Sequence, residues 1–120
     1  MNNMNILKKV PDYPETKFVA ESKGDYIQVD MVAPGYTVDD LTIEARENGV
    51  LVVGKPKKSI GDGRLLPGFS NFFNIDDPKK FDRKNVTAEI YNGVLTVKIP
   101  VMEEYRTVKI NVVQATAVEN

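Results

Sequence analysis

Two adjacent carboxylate pairs, Asp39-Asp40 and Asp76-Asp77, are the residues of this chain best suited by type to acid/base chemistry. Neighbours on a strand or turn point in different directions, so neither pair converges on one substrate. Asp76-Asp77-Pro78 reads instead as a turn, because Asp side chains bond nearby backbone and Pro presets the next φ. Gly61-Asp62-Gly63 lacks the remaining glycine of a dinucleotide loop and the Gly-Lys-Ser/Thr of a phosphate loop, and loop flexibility accounts for it. Lys55, Lys57, Lys58 and Arg64 make a short basic stretch, but Pro56, Gly61 and Gly63 place it in a loop without interleaved aromatics for base stacking. Asn85-Val86-Thr87 fits the glycosylation pattern, yet a chain without a secretory signal never meets that machinery. The chain contains no His and no Cys. Their absence removes the commonest base at neutral pH, the usual metal ligands, every Ser-His or Cys-His arrangement and any disulfide framework. Neither enzymatic activity nor a cofactor is expected, and catalytic and metal sites are expected to be none.

The elements available to position other kinds of site follow from composition and periodicity. With 120 residues, 42% of them hydrophobic, the chain is long enough to bury one core without metal or disulfide staples. Sixteen basic against seventeen acidic side chains give no field able to gather nucleic acid or an anionic membrane. Met1 to Val10 carries no apolar run of signal-peptide length, and nothing later approaches a membrane span. A cytoplasmic location is expected, with no nucleic-acid partner and no integral membrane association.

Hydrophobic spacing has period two along most of the chain, the mark of strands with one face buried. In Tyr26 to Val32 the inward candidates are Ile27, Val29 and Met31, and Pro34-Gly35 stops the strand. Leu41, Ile43 and Ala45 alternate with Thr42, Glu44 and Arg46. Asn48-Gly49 then offers the two φ > 0 positions of a tight hairpin, from which Val50 to Val53 return. Phe69, Asn71, Phe73 and Ile75 form the next set, and Val86, Ala88 and Ile90 lead through Asn92-Gly93 to Leu95, Val97 and Ile99. The echo N-G-V-L-x-V at residues 48–53 and 92–97 predicts two type I′ hairpins, each sending its Leu into the core. Short strands joined by Gly, Pro and Asn turns without helices predict an all-β, antiparallel, immunoglobulin-like β-sandwich.

At the second hairpin Ala88 to Pro100 fits A-x-x-x-N-G-V-L-x-V-x-x-P, which resembles the signature of the small heat shock proteins in their α-crystallin domain. Pro34-Gly35 followed by Val38 to Ile43, Asn48 to Gly54, the aromatic set Phe69, Phe73 and Ile75, and Phe81-Asp82 to Val86 are similar to further family features at family spacing. The resemblance divides the chain into a short N-terminal arm at 1–17, an α-crystallin-type sandwich at 18–100 and a C-terminal tail at 101–120. In the tail, Ile110 and Val112 look like the family's I-x-I/V motif; Val108 with Ile110 is a second register, and a last strand within the same sandwich is an alternative. Two buried aliphatics contribute on the order of 3 to 6 kcal/mol gross, less the ordering of the tail, a contact weak enough to exchange.

The resemblance implies an ATP-independent holdase that binds partly unfolded, non-native client proteins, prevents their aggregation and works as a homo-oligomer built from dimers. It implies a groove between the edge strands Leu41 to Glu47 and Val86 to Tyr91, lined by some of Leu41, Ile43, Ala45, Val86, Ala88 and Ile90, that receives a tail or a client. Met4, Ile6, Leu7 and Val10 are the client-contacting candidates of the arm, and Phe69, Asn71, Phe73 and Ile75 mark a possible dimer edge. Lys55 to Pro67 is shorter than the loop through which bacterial and plant members usually exchange a strand, no Arg stands in the aromatic strand, and the arm is short. Dimerisation by a shortened loop or by edge pairing both stay open. The runner-up is a CS-like or structural sandwich module that docks one dedicated partner without holdase activity.

Overall fold

The computed structural model describes residues 13–55, 59–60, 64–65 and 67–116. Among these residues nine strands follow in order: β1 (Phe18–Ser22), β2 (Tyr26–Val32), β3 (Leu41–Arg46), β4 (Gly49–Gly54), β5 (Ser59–Ile60), β6 (Arg64–Leu65), β7 (Phe69–Asn74), β8 (Thr87–Tyr91) and β9 (Val94–Pro100). Among the described residues the remaining regular elements are four single 3₁₀ turns. A four-stranded sheet in the order β1-β2-β9-β8 and a three-stranded sheet in the order β3-β4-β7 carry the fold, and β5 and β6 pair separately. All pairings are antiparallel, so the expected all-β sandwich is the observed architecture.

Register explains which side chains meet. Opposite residues Val29 and Val97, Met31 and Leu95, and Ile27 and Ile99 share a face of the larger sheet. Val50, Val52 and Phe69 face them from the smaller sheet, and all of these but the half-buried Ile27 join Ala33 and Phe81 in the buried core. The alternation read from β2 and β9 is therefore the pleat of half-buried strands. Strand β4 is buried along its whole length, which is why its sequence reads as a continuous apolar run.

The two hairpins differ, contrary to the expectation from their shared motif. Asn92 and Gly93 have φ of 49° and 79° and sit between paired Tyr91 and Val94, a type I′ turn. In the first hairpin Arg46 already pairs with Gly49, so Glu47 and Asn48 form the turn, and neither has a positive φ. Gly49 is required for another reason: a Cβ there would fall on the Phe73 carbonyl and 2.7 Å from the Phe72 ring. This one-residue shift turns the matching leucines to opposite faces. Leu95 points into the core, whereas Leu51, opposite Glu44 and Phe72, belongs to the outer face of its sheet.

Candidate functional site

Of the paired carboxylates, Asp40 serves the backbone. Asp40 is buried, and its Oδ2 accepts from the Thr37 amide at 3.0 Å and the Thr37 hydroxyl at 3.1 Å, fastening the 3₁₀ turn Val38–Asp40 that leads into β3. Asp77 stands at the N-cap position of the turn Pro78–Lys80 without a side-chain capping bond to it, and its carboxylate lies 3.8 Å from the Lys80 ammonium. Among the described residues no group of three His, Cys, Asp or Glu side chains is gathered to hold a metal.

Stacking a four-stranded on a three-stranded sheet leaves two seams, and the chain treats them differently. On the β1/β7 side, the rings of Phe18 and Phe73 meet edge to face with centroids 5.0 Å apart. Asn71, 1% exposed, accepts the Thr16 amide on Oδ1 at 2.9 Å and donates from Nδ2 to the Thr16 carbonyl at 3.0 Å. The Ser70 amide donates to the Pro14 carbonyl at 3.0 Å. Tyr36 packs on Phe69 at 5.1 Å and gives its hydroxyl to the Pro67 carbonyl. Burial, and then the Asp40 carboxylate nearby, push the Tyr36 phenol above its ordinary pKa. Rings and hydrogen bonds thus tie this seam to the segment before β1, beside a cleft of about 340 Å³ lined by Pro14, Thr16, Val32, Tyr36 and Phe69.

On the β3/β8 side the seam is open. A cleft of about 110 Å³ lies between the two edge strands, lined by Val38, Leu41, Ile43, Ala88 and Ile90, with buried Leu95 among its walls and Glu89 at its rim. Leu41, Ile43 and Ile90 are half-buried and Ala88 is exposed, as alternate residues of strands at a sheet margin must be. Four of the six groove candidates therefore come together at one cleft. Ala45 and Val86 pack against the core without lining it. The outer backbone edges of β3 and β8 are unpaired among the described residues, the condition under which a sheet edge accepts another strand.

Strand β7 is an edge as well, and two of its four candidate side chains are turned into the core. Phe69 and Asn71 are buried, Phe73 is half-buried against Phe18, and Ile75 lies just past the strand. Phe72, on the other face, is 37% exposed. The arm residues Met4, Ile6, Leu7 and Val10 lie outside the described residues.

The tail is pinned at its base and then leaves the sandwich. Val101 pairs with Phe81, Arg106 Nε donates to the Val101 carbonyl at 3.0 Å, and the Lys80 ammonium stands 5.5 Å above the Tyr105 ring. From Thr107 to Thr116 no residue belongs to a strand, so within this copy the tail is not a further strand of its own sandwich. Ile110 is 76% and Val112 95% exposed. Sequence reasoning missed β1, whose five residues are all exposed, and the Asn71 clamp, whose partner is 55 residues away. It also missed an opening of about 250 Å³ at the end of the sandwich beside Phe81 and Val101, since no local pattern links those residues. No helix among the described residues is long and apolar enough to cross a membrane.

Comparison with known proteins agrees with this geometry. The model of the Hsp20/alpha crystallin family matches residues 19–114. Small heat shock protein C4 of Rickettsia felis is 26% identical over 102 residues, covering 78% of this chain and 61% of that protein. Small heat shock protein C1 of Rickettsia bellii is 29% identical over 110 residues, covering 82% of this chain and 62% of that protein. The chain thus spans about three fifths of the length of these curated relatives. Among solved structures, heat shock protein 16.0 from Schizosaccharomyces pombe superposes with a TM-score of 0.60 at 22% identity, over 83% of this chain and 98% of that one. A small heat-shock protein from Xylella fastidiosa gives 0.61 at 17% identity, over 88% and 96%.

Proposed function

Because the chain belongs to the Hsp20/alpha crystallin family, we propose that it is an ATP-independent holdase, one that captures partly unfolded proteins on apolar surface and keeps them from aggregating. The observation that carries this reading is the pairing of an open apolar seam with an unattached aliphatic tail in one chain. An exposed apolar edge is an aggregation hazard unless something covers it. In this account tails of neighbouring subunits cover the seam at rest, and clients displace them. Weak individual contacts suit that exchange, since each aliphatic side chain adds only about 1.5 to 3 kcal/mol before ordering costs.

The same reading makes 18–100 the folded unit, 1–17 an arm and 101–120 a docking tail. Subunits pair first as dimers. What supports pairing through β7 is its position at a sheet edge, and contact there would come from backbone and Phe72, because Phe69 and Asn71 face inward. The cysteine-free composition supports a reducing, cytoplasmic setting.

Light scattering from a heat-labile client enzyme, with and without the protein and in nucleotide-free buffer, tests the proposal. Suppression at near-stoichiometric subunit ratios is expected. No suppression at any ratio, by protein shown to be folded, would overturn it in favour of a module that docks one dedicated partner.

A further inference from the structure

The cleft of about 340 Å³ on the β1/β7 side is apolar and its walls are held in place. Val32, Pro34, Pro67 and Phe69 line it together with Pro14 and Tyr36, and among the described residues Glu15 is the one charged residue on its wall. Tyr36 is fixed by the Phe69 ring and the Pro67 carbonyl, and Pro14 by its bond to the Ser70 amide. The chain enters the sandwich at the rim of this cleft. A Cβ on Gly68 would stand 3.1 Å from the Tyr13 ring, so the ring lies directly on the wall that Gly68 forms.

Twelve residues precede Tyr13 in the sequence, and their pattern suits the cleft. Met4, Leu7 and Val10 recur at three-residue steps, with Ile6 four residues before Val10, the spacing of one helical face. A helix so short does not hold together alone in water and needs a surface for its apolar side. Pro11 stops it, and Pro11-Asp12-Tyr13-Pro14 reads as a turn, which sends the chain before Tyr13 back over the residues that follow. Charge agrees with this direction. Lys8 and Lys9 fall in the last turn before Pro11, and Glu15 stands on the cleft wall.

We propose that residues 4–10 of this chain's own arm fold back onto the β1/β7 side, seating Leu7 and Val10 in the cleft beside Pro34 and Tyr36 with the Lys8-Lys9 pair towards Glu15. Arm and tail then have separate places, one at each seam of the sandwich. The inference stands on the cleft and the sequence of the arm, and it does not depend on the holdase reading. Where that reading also holds, the cleft is a store that withholds Leu7 and Val10 from clients.

The test is crosslinking of introduced cysteine pairs in the full chain by a short bismaleimide, in dilute protein, with circular dichroism to confirm folding. Val10→Cys with Pro34→Cys is expected to link within one chain about tenfold faster than Val10→Cys with Ala88→Cys, whose second thiol lies at the opposite seam. Pro67→Cys, exposed and lining the same cleft, gives the same comparison if Pro34→Cys disturbs its turn. Glu15→Lys is expected to slow the link severalfold at low salt, and Glu15→Lys combined with Lys8→Glu and Lys9→Glu to restore it. Links formed only between chains would overturn the inference in favour of a seat for a second copy's arm. Links within one chain that form no faster than in the Ala88→Cys control would overturn it outright, whatever the protein does to client aggregation.

Discussion

Replacing Asn71 with Ala removes the one side chain that, among the described residues, hydrogen-bonds the segment before β1 to the smaller sheet. Asn71 is 1% exposed, and its carboxamide satisfies both backbone groups of Thr16, at 2.9 and 3.0 Å. Each such bond contributes about 0.5 to 1.5 kcal/mol net, and the half-buried Thr16 regains only part of its hydrogen bonding from water. The expected loss is about 2 kcal/mol of unfolding free energy, read from urea denaturation with an unchanged slope. Asn71→Asp is expected to cost more. It keeps the volume but faces the Thr16 carbonyl with a carboxylate, so it loses the donor and buries a charge. That excess should shrink on acidification, because the protonated acid can again donate to the Thr16 carbonyl. Amide exchange at Thr16 and Ser70 should accelerate in both variants, since Ser70 donates to Pro14 in the same strap. A loss below about 0.5 kcal/mol for Asn71→Ala, or an Asp variant no worse than the Ala variant, would refute the reasoning.

Two further predictions concern the hairpins and pH. Gly49→Ala should destabilise by about 1 to 3 kcal/mol through overpacking against Phe72 and Phe73, while Asn48→Ala should change stability by less than about 0.5 kcal/mol. Asn92→Ala should cost about 1 to 2 kcal/mol, because its φ is 49°; equal effects at Asn48 and Asn92 in thermal unfolding would contradict the different turns assigned to them. The Tyr36 phenol has a pKa raised above that of the unfolded chain, so its contribution is fully present below pH 10 and is lost as pH rises through the raised value. Denaturation midpoints followed above pH 10 should fall less steeply in Tyr36→Phe than in the parent, and parallel curves would sink the assignment.

The parts of the fold legible from sequence are the strands with one wet face. In β2, β3 and β9 the pleat separates core from solvent, so the amino-acid order repeats the geometry. Where that condition fails, the signal fails with it. Strand β4 is covered on both faces, and β1 on neither, so alternation marks neither of them. Asn48-Gly49 was misleading because glycine answers two different needs, a left-handed backbone at Gly93 and close approach of a ring at Gly49. That Leu41, Ile43, Ala88 and Ile90 meet at one cleft was legible because edge strands still alternate. Which residues of a seam line its cleft depends on how the two sheets are stacked, a relation no local spacing contains, and this separates Ala45 and Val86 from the other four.

Tails and clients are proposed to share the β3/β8 seam, and the absence of native cysteine allows a direct test of that claim. Ile110→Cys combined with Ala88→Cys places one thiol on the tail and one in the cleft. Oxidation is predicted to give disulfide-linked subunits that no longer suppress client light scattering, with suppression restored on reduction. Linked subunits that suppress as well oxidised as reduced would contradict the claim.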